Sequence, residues 1–291
     1  MRKARKAMDK FLILNADDFG YNPQQNAAIA ELLETGRITS TSVLTVAPEA
    51  ETAATLACTQ KYPVGVHWTI NSDSAEARWQ SLTGARSLSD AKGLRANGAA
   101  LALHAKRREV YTELETQFLY LQARGCAVDH ADNHCATLYG INGRRFFLDA
   151  FDLCAKYRLP FRFPKTPGFL ERQIGRKLPS PLLRVQQMLV HCGEKRGVQM
   201  PDDVVSNPWN MARIQNYETL RRYYLDAVDL CLPGVTEMFL HPAQPLESAG
   251  PEWQKRVYEY RLLQSGDLLT RAEQKGVRIV SWSIFRELAD G

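Results

Sequence analysis

The sequence lacks three features that would each indicate a familiar class of protein: a long apolar run, a signal peptide and a strong net charge. No stretch approaches the roughly 20 apolar residues of a transmembrane helix. The basic start, residues 1–10, leads to no apolar region long enough for a signal peptide. A net charge of +5 is too small to indicate a nucleic-acid partner. We therefore expect a cytoplasmic protein with no membrane span and no nucleic-acid partner.

Closely spaced cysteines are also missing. The scattered positions exclude the paired motifs of zinc knuckles and redox sites. They favour reduced thiols in a reducing compartment, while the even number of cysteines leaves disulfides open. The six are Cys58, Cys126, Cys135, Cys154, Cys192 and Cys231.

Segments typical of strands alternate with segments typical of helices, and no linker interrupts them. We therefore expect one α/β domain over residues 1–291, with residues 1–10 as a basic tail and a mainly parallel sheet, open or closed into a barrel. Residues 71–106 and 193–216 fit neither pattern, and we interpret them as irregular insertions that line a substrate cleft. Strands are predicted at 11–14, 40–46, 64–67, 127–131, 160–163, 235–240 and 277–282, and helices at 23–36, 49–61, 107–124, 144–157 and 252–275.

Two adjacent carboxylates, Asp17 and Asp18, directly follow the first predicted strand. Neighbouring carboxylates repel each other unless a cation or a shared proton relieves the conflict. In an extended backbone the two side chains point to opposite sides, so that one can bind a metal while the other faces a substrate. The alternative is an Asp-rich turn that caps the next helix.

Three further predicted strands end on histidine or aspartate: His67, Asp132 with His134, and His241. In parallel α/β folds, active sites gather at the carboxyl ends of the strands. One carboxylate and two imidazoles suit a catalytic divalent ion, and a second carboxylate and a histidine can then act as general base and general acid. Each residue also has a structural interpretation. His67 can be a hydrogen-bonded core histidine, and His241 a simple strand end.

These residues give the chain a resemblance to the YdjC-like carbohydrate deacetylases, the group that includes the chitooligosaccharide deacetylases and the HpnK-type proteins. The resemblance covers most of the chain and implies a distorted (β/α) barrel of the polysaccharide-deacetylase type. The motifs that carry it are LNADDFG (14–20), GRITSTS (36–42), GVH (65–67), HADNH (130–134), LPFR (159–162) and TEMFLHP (236–242).

Carried over residue by residue, the resemblance implies that Asp18, His67 and His134 bind one divalent metal ion, Zn²⁺ or Mg²⁺. It makes Asp17 the general base and His241 the general acid. The reaction it implies is hydrolytic removal of an acetyl group from an N-acetylated amino sugar or oligosaccharide.

Four other residues are assigned to the surroundings of this site. We expect His130 and Asp132 to lie beside the metal ligands. Arg162 either orients a carboxylate of the site or forms a structural ion pair. Trp68 stands where relatives often carry an aliphatic residue, and it either stacks on a sugar ring or fills the core.

The chain departs from the family pattern after His134. Many relatives continue with further histidines, whereas this chain has Cys135, Ala136, Thr137 and Leu138. The departure predicts a different substrate floor and leaves the proposed ligands intact.

Two other functions stay open. The first is a metal-dependent phosphoesterase, against which the lack of a Gly-rich phosphate loop counts. The second is a carbohydrate-binding relative without catalysis, against which the presence of all five proposed metal-binding and catalytic residues counts. A homodimer is compatible with the sequence.

Overall fold

The computed structural model describes residues 9–76, 78–96, 98–140 and 144–290. Residues 1–8 of the predicted basic tail lie outside the described residues. Lys10, the last residue of that predicted tail, is the first residue of strand β1. The described residues form nine strands: β1 (Lys10–Phe19), β2 (Ser40–Val43), β3 (Val64–Trp68), β4 (Ser89–Asp90), β5 (Gly93–Leu94), β6 (Val128–Asn133), β7 (Asp203–Val205), β8 (Gly234–Leu240) and β9 (Val277–Val280).

Helices connect most of the strands, and a 3-10 turn (His134–Tyr139) follows β6. No helix among the described residues combines the length and the apolar character that crossing a membrane requires. The helices are α1 (Pro23–Glu34), α2 (Ala50–Thr59), α3 (Gly98–His104), α4 (Arg107–Gln122), α5 (Phe147–Tyr157), α6 (Gly168–Ile174), α7 (Ser180–Lys195), α8 (Met211–Ile214), α9 (Tyr217–Asp229), α10 (Trp253–Ser265), α11 (Asp267–Gln274) and α12 (Ile284–Asp290).

Seven strands form one curled parallel sheet in the order β6-β3-β2-β1-β8-β7, and β9 also pairs with β1. The chain around Phe161 connects the end strand β6 to the segment that leads into β7, the other end strand. Ala131 N–H donates to Pro160 O at 3.0 Å, and Phe161 N–H donates to Gln199 O at 2.9 Å. The strand predicted at 160–163 is therefore a single bridge to Ala131. These contacts confirm the predicted α/β fold, a distorted (β/α) barrel.

The alternation of side chains along β1 divides the barrel into an outer and an inner face. Leu12 and Leu14 pack outward in the main core. Phe11 and Ile13 belong to a separate inner cluster. Asn15 and Asp17 follow at the same alternation along β1 and therefore also face inward. The bottom of the barrel is thus apolar and the mouth is polar. The inner cluster is completed by Val235, Trp282, Ile284 and Phe285.

Both segments predicted to be irregular contain regular structure. Residues 71–106 hold the small hairpin β4–β5 and helix α3, and residues 193–216 hold the end of α7, strand β7 and helix α8. The predicted helix at 252–275 is two helices, since Gly266 adopts φ +77° between them. Elements of two to seven residues carry too little periodicity to be detected in the sequence.

The expectation of reduced thiols is wrong for two cysteines. Cys58 and Cys126 form a disulfide, with their Cα atoms 4.6 Å apart. Because β3 and β6 are neighbours in the sheet, the end of α2 and the start of β6 meet at the same edge of the barrel. The other four cysteines are free. A disulfide is typical of an oxidising environment, so this pair does not support the expected reducing compartment.

Candidate functional site: a carboxylate–histidine cavity

A cavity of about 460 Å³ opens at the carboxyl ends of the barrel strands. Asp73 from the segment after β3 and Ser206 and Asn207 from the segment after β7 also line it, so both predicted insertions contribute walls. Six of the nine predicted site residues line the cavity, namely Asp17, Asp18, His67, His134, Arg162 and His241.

A bulge in β1 turns both carboxylates of the Asp17–Asp18 pair into this one cavity. The register between β1 and β2 shifts between Ala16 and Phe19, and Asp18 adopts φ +69°. Bulges re-aim side chains and are common beside active sites. The expectation that the two carboxylates point to opposite sides is therefore wrong. They face the same space but have different partners.

Asp18, His67 and His134 form a compact group that we call the inner triad. Asp18 Oδ1 lies 3.3 Å from His67 Nε2 and 3.3 Å from His134 Nδ1. This buried oxygen makes no hydrogen bond to any described residue. Burial opposes ionisation of Asp18, yet His134 and His67 hold the pKa of that carboxyl well below its ordinary value. A buried, charged oxygen between two imidazoles fits a divalent cation, and two nitrogen donors favour zinc.

Each imidazole of the inner triad has a carboxylate on its far side. His67 Nδ1 lies 2.7 Å from Asp132 Oδ1, and His134 Nε2 lies 2.5 Å from Asp73 Oδ1. Burial opposes protonation of His67, but Asp132 and Asp18 together raise its pKa to about 10. Carboxylates in this position fix the ring orientation of histidines that bind metals and increase their basicity.

Arg162 lies at the centre of a second charged group, the arginine cluster, which includes Asp17, Asp132 and Glu237. Its Nη1 and Nη2 donate to the two oxygens of Asp17 at 2.6 and 2.7 Å. Its Nε and Nη2 donate to Glu237 at 2.8 and 2.6 Å, and Nη2 lies 2.8 Å from Asp132 Oδ2. Only 3% of Arg162 is exposed. This geometry combines both interpretations of Arg162, because the guanidinium orients Asp17 within a structural ion-pair network.

One guanidinium cannot fully neutralise three carboxylates, and Glu237 is the one whose pKa is raised. Burial raises the pKa of Glu237 to about 7, although Arg162 opposes the shift. Burial also opposes ionisation of Asp132, but Arg162 and His67 keep the pKa of that carboxyl well below its ordinary value. Glu237 is therefore the member of the arginine cluster that takes up a proton near neutral pH.

His241 lies across the cavity from the inner triad, at the end of β8. Its Nε2 is 4.0 Å from Asp17 Oδ2. Its backbone N–H donates to Glu259 Oε2 at 2.7 Å, and Tyr224 Oη donates to the other oxygen of Glu259 at 2.8 Å. Although 30% of the side chain is exposed, desolvation by the cavity walls lowers the pKa of His241. A lowered pKa makes the imidazolium a stronger proton donor.

The sequence alone did not identify four charged residues at the site: Asp73, Glu237, Arg256 and Glu259. Arg256 Nη1 donates to Asp18 Oδ2 at 3.0 Å. Glu237 had a usable signal, since it is the one charged residue within strand β8. Asp73 lies in a loop and Arg256 and Glu259 lie in helix α10, where charged residues are ordinary. Only the fold brings Asp73 and Arg256 to the cavity and Glu259 to the backbone of His241.

Two predicted site residues have other roles in the structure. Trp68 is only 1% exposed, donates to Leu114 O on α4 and packs in the core, so it cannot stack on a sugar. It alternates with His67 along β3 and therefore faces outward. His130 lies inside the barrel beneath Asp132, where it stacks on Trp282 with ring centroids 4.5 Å apart. The space for His130 exists because Gly65 has no Cβ.

Comparison with solved structures supports the fold. A protein from Enterococcus faecalis V583, provisionally described as a cellobiose-phosphate cleavage protein, matches with a TM-score of 0.75 and 24% sequence identity. The match covers 95% of this chain and 99% of that chain.

Comparison with known sequences gives relatives of similar length. A carbohydrate deacetylase of Enterococcus faecalis is 27% identical over 285 residues, which cover 94% of this chain and 97% of the relative. A carbohydrate deacetylase of Geobacillus stearothermophilus is 26% identical over 288 residues, which cover 97% of this chain and 100% of the relative. A chitooligosaccharide deacetylase of Proteus mirabilis is 34% identical over 131 residues, 44% of this chain and 49% of the relative.

The family model described as "YdjC-like protein" matches residues 11–274, which span β1 to the end of α11. This match contains all six of the motifs on which the resemblance depends. The chain belongs to the YdjC-like protein family.

Proposed function

We propose that this protein is a metal-dependent hydrolase that removes the acetyl group from an N-acetylated amino sugar or oligosaccharide. The observation that carries the proposal is the arrangement around Asp18 Oδ1, a buried oxygen without a hydrogen bond that faces His67 and His134. Asp17 and His241 complete the arrangement from the same cavity. The similarity to proteins named carbohydrate deacetylases supports the same reaction class.

The inner triad would hold one divalent ion, Zn²⁺ or Mg²⁺. Such an ion would supply Lewis-acid chemistry, which lowers the pKa of a water and stabilises negative charge on an acetyl oxygen. The two imidazole donors favour zinc, because magnesium prefers a shell of oxygen ligands.

Asp17 acts as the general base and accepts a proton from the water that attacks the acetyl carbonyl. Arg162 holds both of its oxygens, and Asn15 Nδ2 donates to Oδ1 at 2.8 Å. Three donors to one carboxylate leave it little rotational freedom, so the base is fixed before substrate arrives. We therefore assign Arg162 and Asn15 the positioning of Asp17.

His241 acts as the general acid and protonates the amine as the C–N bond breaks. An amine is a poor leaving group without this proton, and general acid catalysis is typically worth about 10²–10⁴-fold. The 4.0 Å separation between His241 Nε2 and Asp17 Oδ2 allows the acid to regain a proton from the base. The lowered pKa of His241 favours transfer of that proton from the imidazolium to the amine.

The test compares acetate release from N-acetylglucosamine oligomers by the wild type, Asp17→Asn and His241→Ala. We expect both variants to lose about 10²–10⁴-fold in kcat. A phenolic acetate ester separates the two roles, because its leaving group departs without a proton. On that ester His241→Ala should lose much less activity than Asp17→Asn.

His191→Ala is the matched control, since His191 is an exposed histidine on α7. It should leave both reactions unchanged. The assigned roles are wrong if Asp17→Asn and His241→Ala release acetate at the wild-type rate. Turnover of phosphate esters by the wild type, without acetate release, would instead favour the phosphoesterase.

A further inference from the structure

His134 lies between two different sets of metal-binding side chains. Its Nδ1 faces Asp18 in the inner triad, whereas its Nε2 lies 2.5 Å from Asp73 Oδ1. The thiol of Cys135 is 4.0 Å from the same Asp73 oxygen. Asp73, His134 and Cys135 each offer one ligand atom, and these atoms lie within 4.8 Å of one another. We call this second set the outer triad.

The outer triad is open to solvent, unlike the inner one. Cys135 is exposed, and 21% of the Asp73 side chain is accessible, compared with 1% for Asp18. Both outer residues border the mouth of the same cavity. A cation from solution therefore reaches the outer triad without passing the inner one.

The donors of the outer triad select a class of metal ion. Thiolate and imidazole are soft or borderline ligands that suit zinc and cadmium, whereas magnesium and calcium prefer oxygen donors. Around tetrahedral zinc, with bonds of about 2.0 Å to nitrogen and oxygen and 2.3 Å to sulfur, the donors lie about 3.3–3.5 Å apart. The observed distances of 2.5 Å between nitrogen and oxygen and 4.0 Å between sulfur and oxygen lie on either side of these values.

We propose that Asp73, His134 and Cys135 form a second metal site, selective for soft divalent cations, that competes with the inner triad for His134. On binding, the Cys135 thiol and His134 Nε2 each release a proton to solvent. The S–H and N–H bonds are replaced by bonds from the Cys135 sulfur and His134 Nε2 to the cation, which an Asp73 oxygen also binds. No oxidation state changes.

Competition follows from the shared ring. A cation on Nε2 leaves the ring's remaining proton on Nδ1, the nitrogen that faces Asp18. Filling the outer triad therefore removes one donor from the inner triad. If the proposed function is correct, excess zinc or cadmium inhibits the enzyme.

The test titrates the metal-stripped full-length protein with Cd²⁺ and follows the ultraviolet charge-transfer absorption of cadmium thiolate. The wild type should develop this absorption with a stoichiometry of one, and Cys135→Ser should not. Asp73→Asn should bind cadmium about tenfold or more weakly. Cys192→Ser, which removes a half-buried thiol on α7, is the matched control and should behave as wild type.

A parallel measurement follows acetate release while Zn²⁺ is raised well above the amount that gives full activity. Inhibition should occur in the wild type and not in Cys135→Ser. The proposal is overturned if the wild type shows no cadmium–thiolate absorption, or if Cys135→Ser shows the wild-type signal. Because the absorption is read without substrate, a protein that binds cadmium through Cys135 but releases no acetate would contradict only the proposed function.

Discussion

The inner triad and the arginine cluster are two neighbouring groups of buried carboxylates that differ in how their charge is neutralised. In the arginine cluster a residue of the chain, Arg162, supplies the cation and donates to Asp17 and Glu237. In the inner triad Arg256 donates to Asp18 Oδ2, but Oδ1 faces two imidazoles and accepts no hydrogen bond from a described residue. The guanidinium of Arg162 thus fixes the orientation of Asp17, whereas Asp18 Oδ1 stays available to bind an exchangeable ion. Asp132 contacts both groups.

Asp18→Asn should have the largest effect, because it removes the negative charge of the inner triad. We expect loss of divalent-metal binding and a decrease in acetate release of about 10⁴-fold or more. Asparagine tolerates the left-handed backbone that Asp18 adopts at φ +69°, so the fold should survive. Metal analysis and kinetics test this. Wild-type metal content in the variant would contradict the assignment of Asp18.

Arg162→Met should break the arginine cluster and leave three buried carboxylates without their cation. Removing one partner of a buried ionic network typically costs about 3–5 kcal/mol in the free energy of unfolding. Urea denaturation measures the loss, and adding Glu237→Gln should recover part of it. Arg172→Met is the matched control. Its guanidinium pairs with Asp203 while 32% exposed, so we expect a loss of about 1 kcal/mol or less.

Glu237→Gln should make stability less dependent on pH. The folded pKa of Glu237 is about 7, above the ordinary 4.5, so the folded state holds this proton more tightly than the unfolded state does. Its stabilising contribution is therefore complete below pH 4.5 and is lost as the pH rises to 7, a change of roughly 3 kcal/mol.

The measurement compares the free energy of unfolding of both proteins at pH 5 and pH 8. The variant should gain on the wild type at the higher pH, since glutamine has no proton to lose. An equal difference at the two pH values would show that Glu237 does not titrate in this range.

Asp132→Asn should give the smallest effect, because it changes the partner of a ligand rather than the ligand. Losing the carboxylate behind His67 should weaken metal binding by about 10–100-fold. A competition titration against a chelator measures the affinity, and Asp129→Asn, on the same strand, is the control. If the metal affinity of Asp132→Asn equals that of the wild type, the Asp132 carboxylate does not strengthen metal binding through His67.

Much of the site could be predicted because strand ends are visible in a sequence. Asp17, Asp18, His67 and His241 each follow an apolar or β-branched run, whereas His134 follows the more polar strand β6. Parallel strands bring such positions to one edge. The roles assigned to them stay predictions. Trp68 shows the limit of this reasoning, because one position along a strand separates the cavity from the core.

The sequence by itself determined six of the seven strands of the main sheet, all but β7, together with their parallel arrangement and the membership of the YdjC-like family. It also determined which polar residues stand at strand ends, since hydrophobic periodicity and motifs are local. Tertiary structure alone decided the contacts between distant positions, namely the Cys58–Cys126 disulfide, Arg256 on Asp18, and Asp73 behind His134. Nothing in a local sequence pattern records these pairs, because only the curling of the sheet makes their members neighbours.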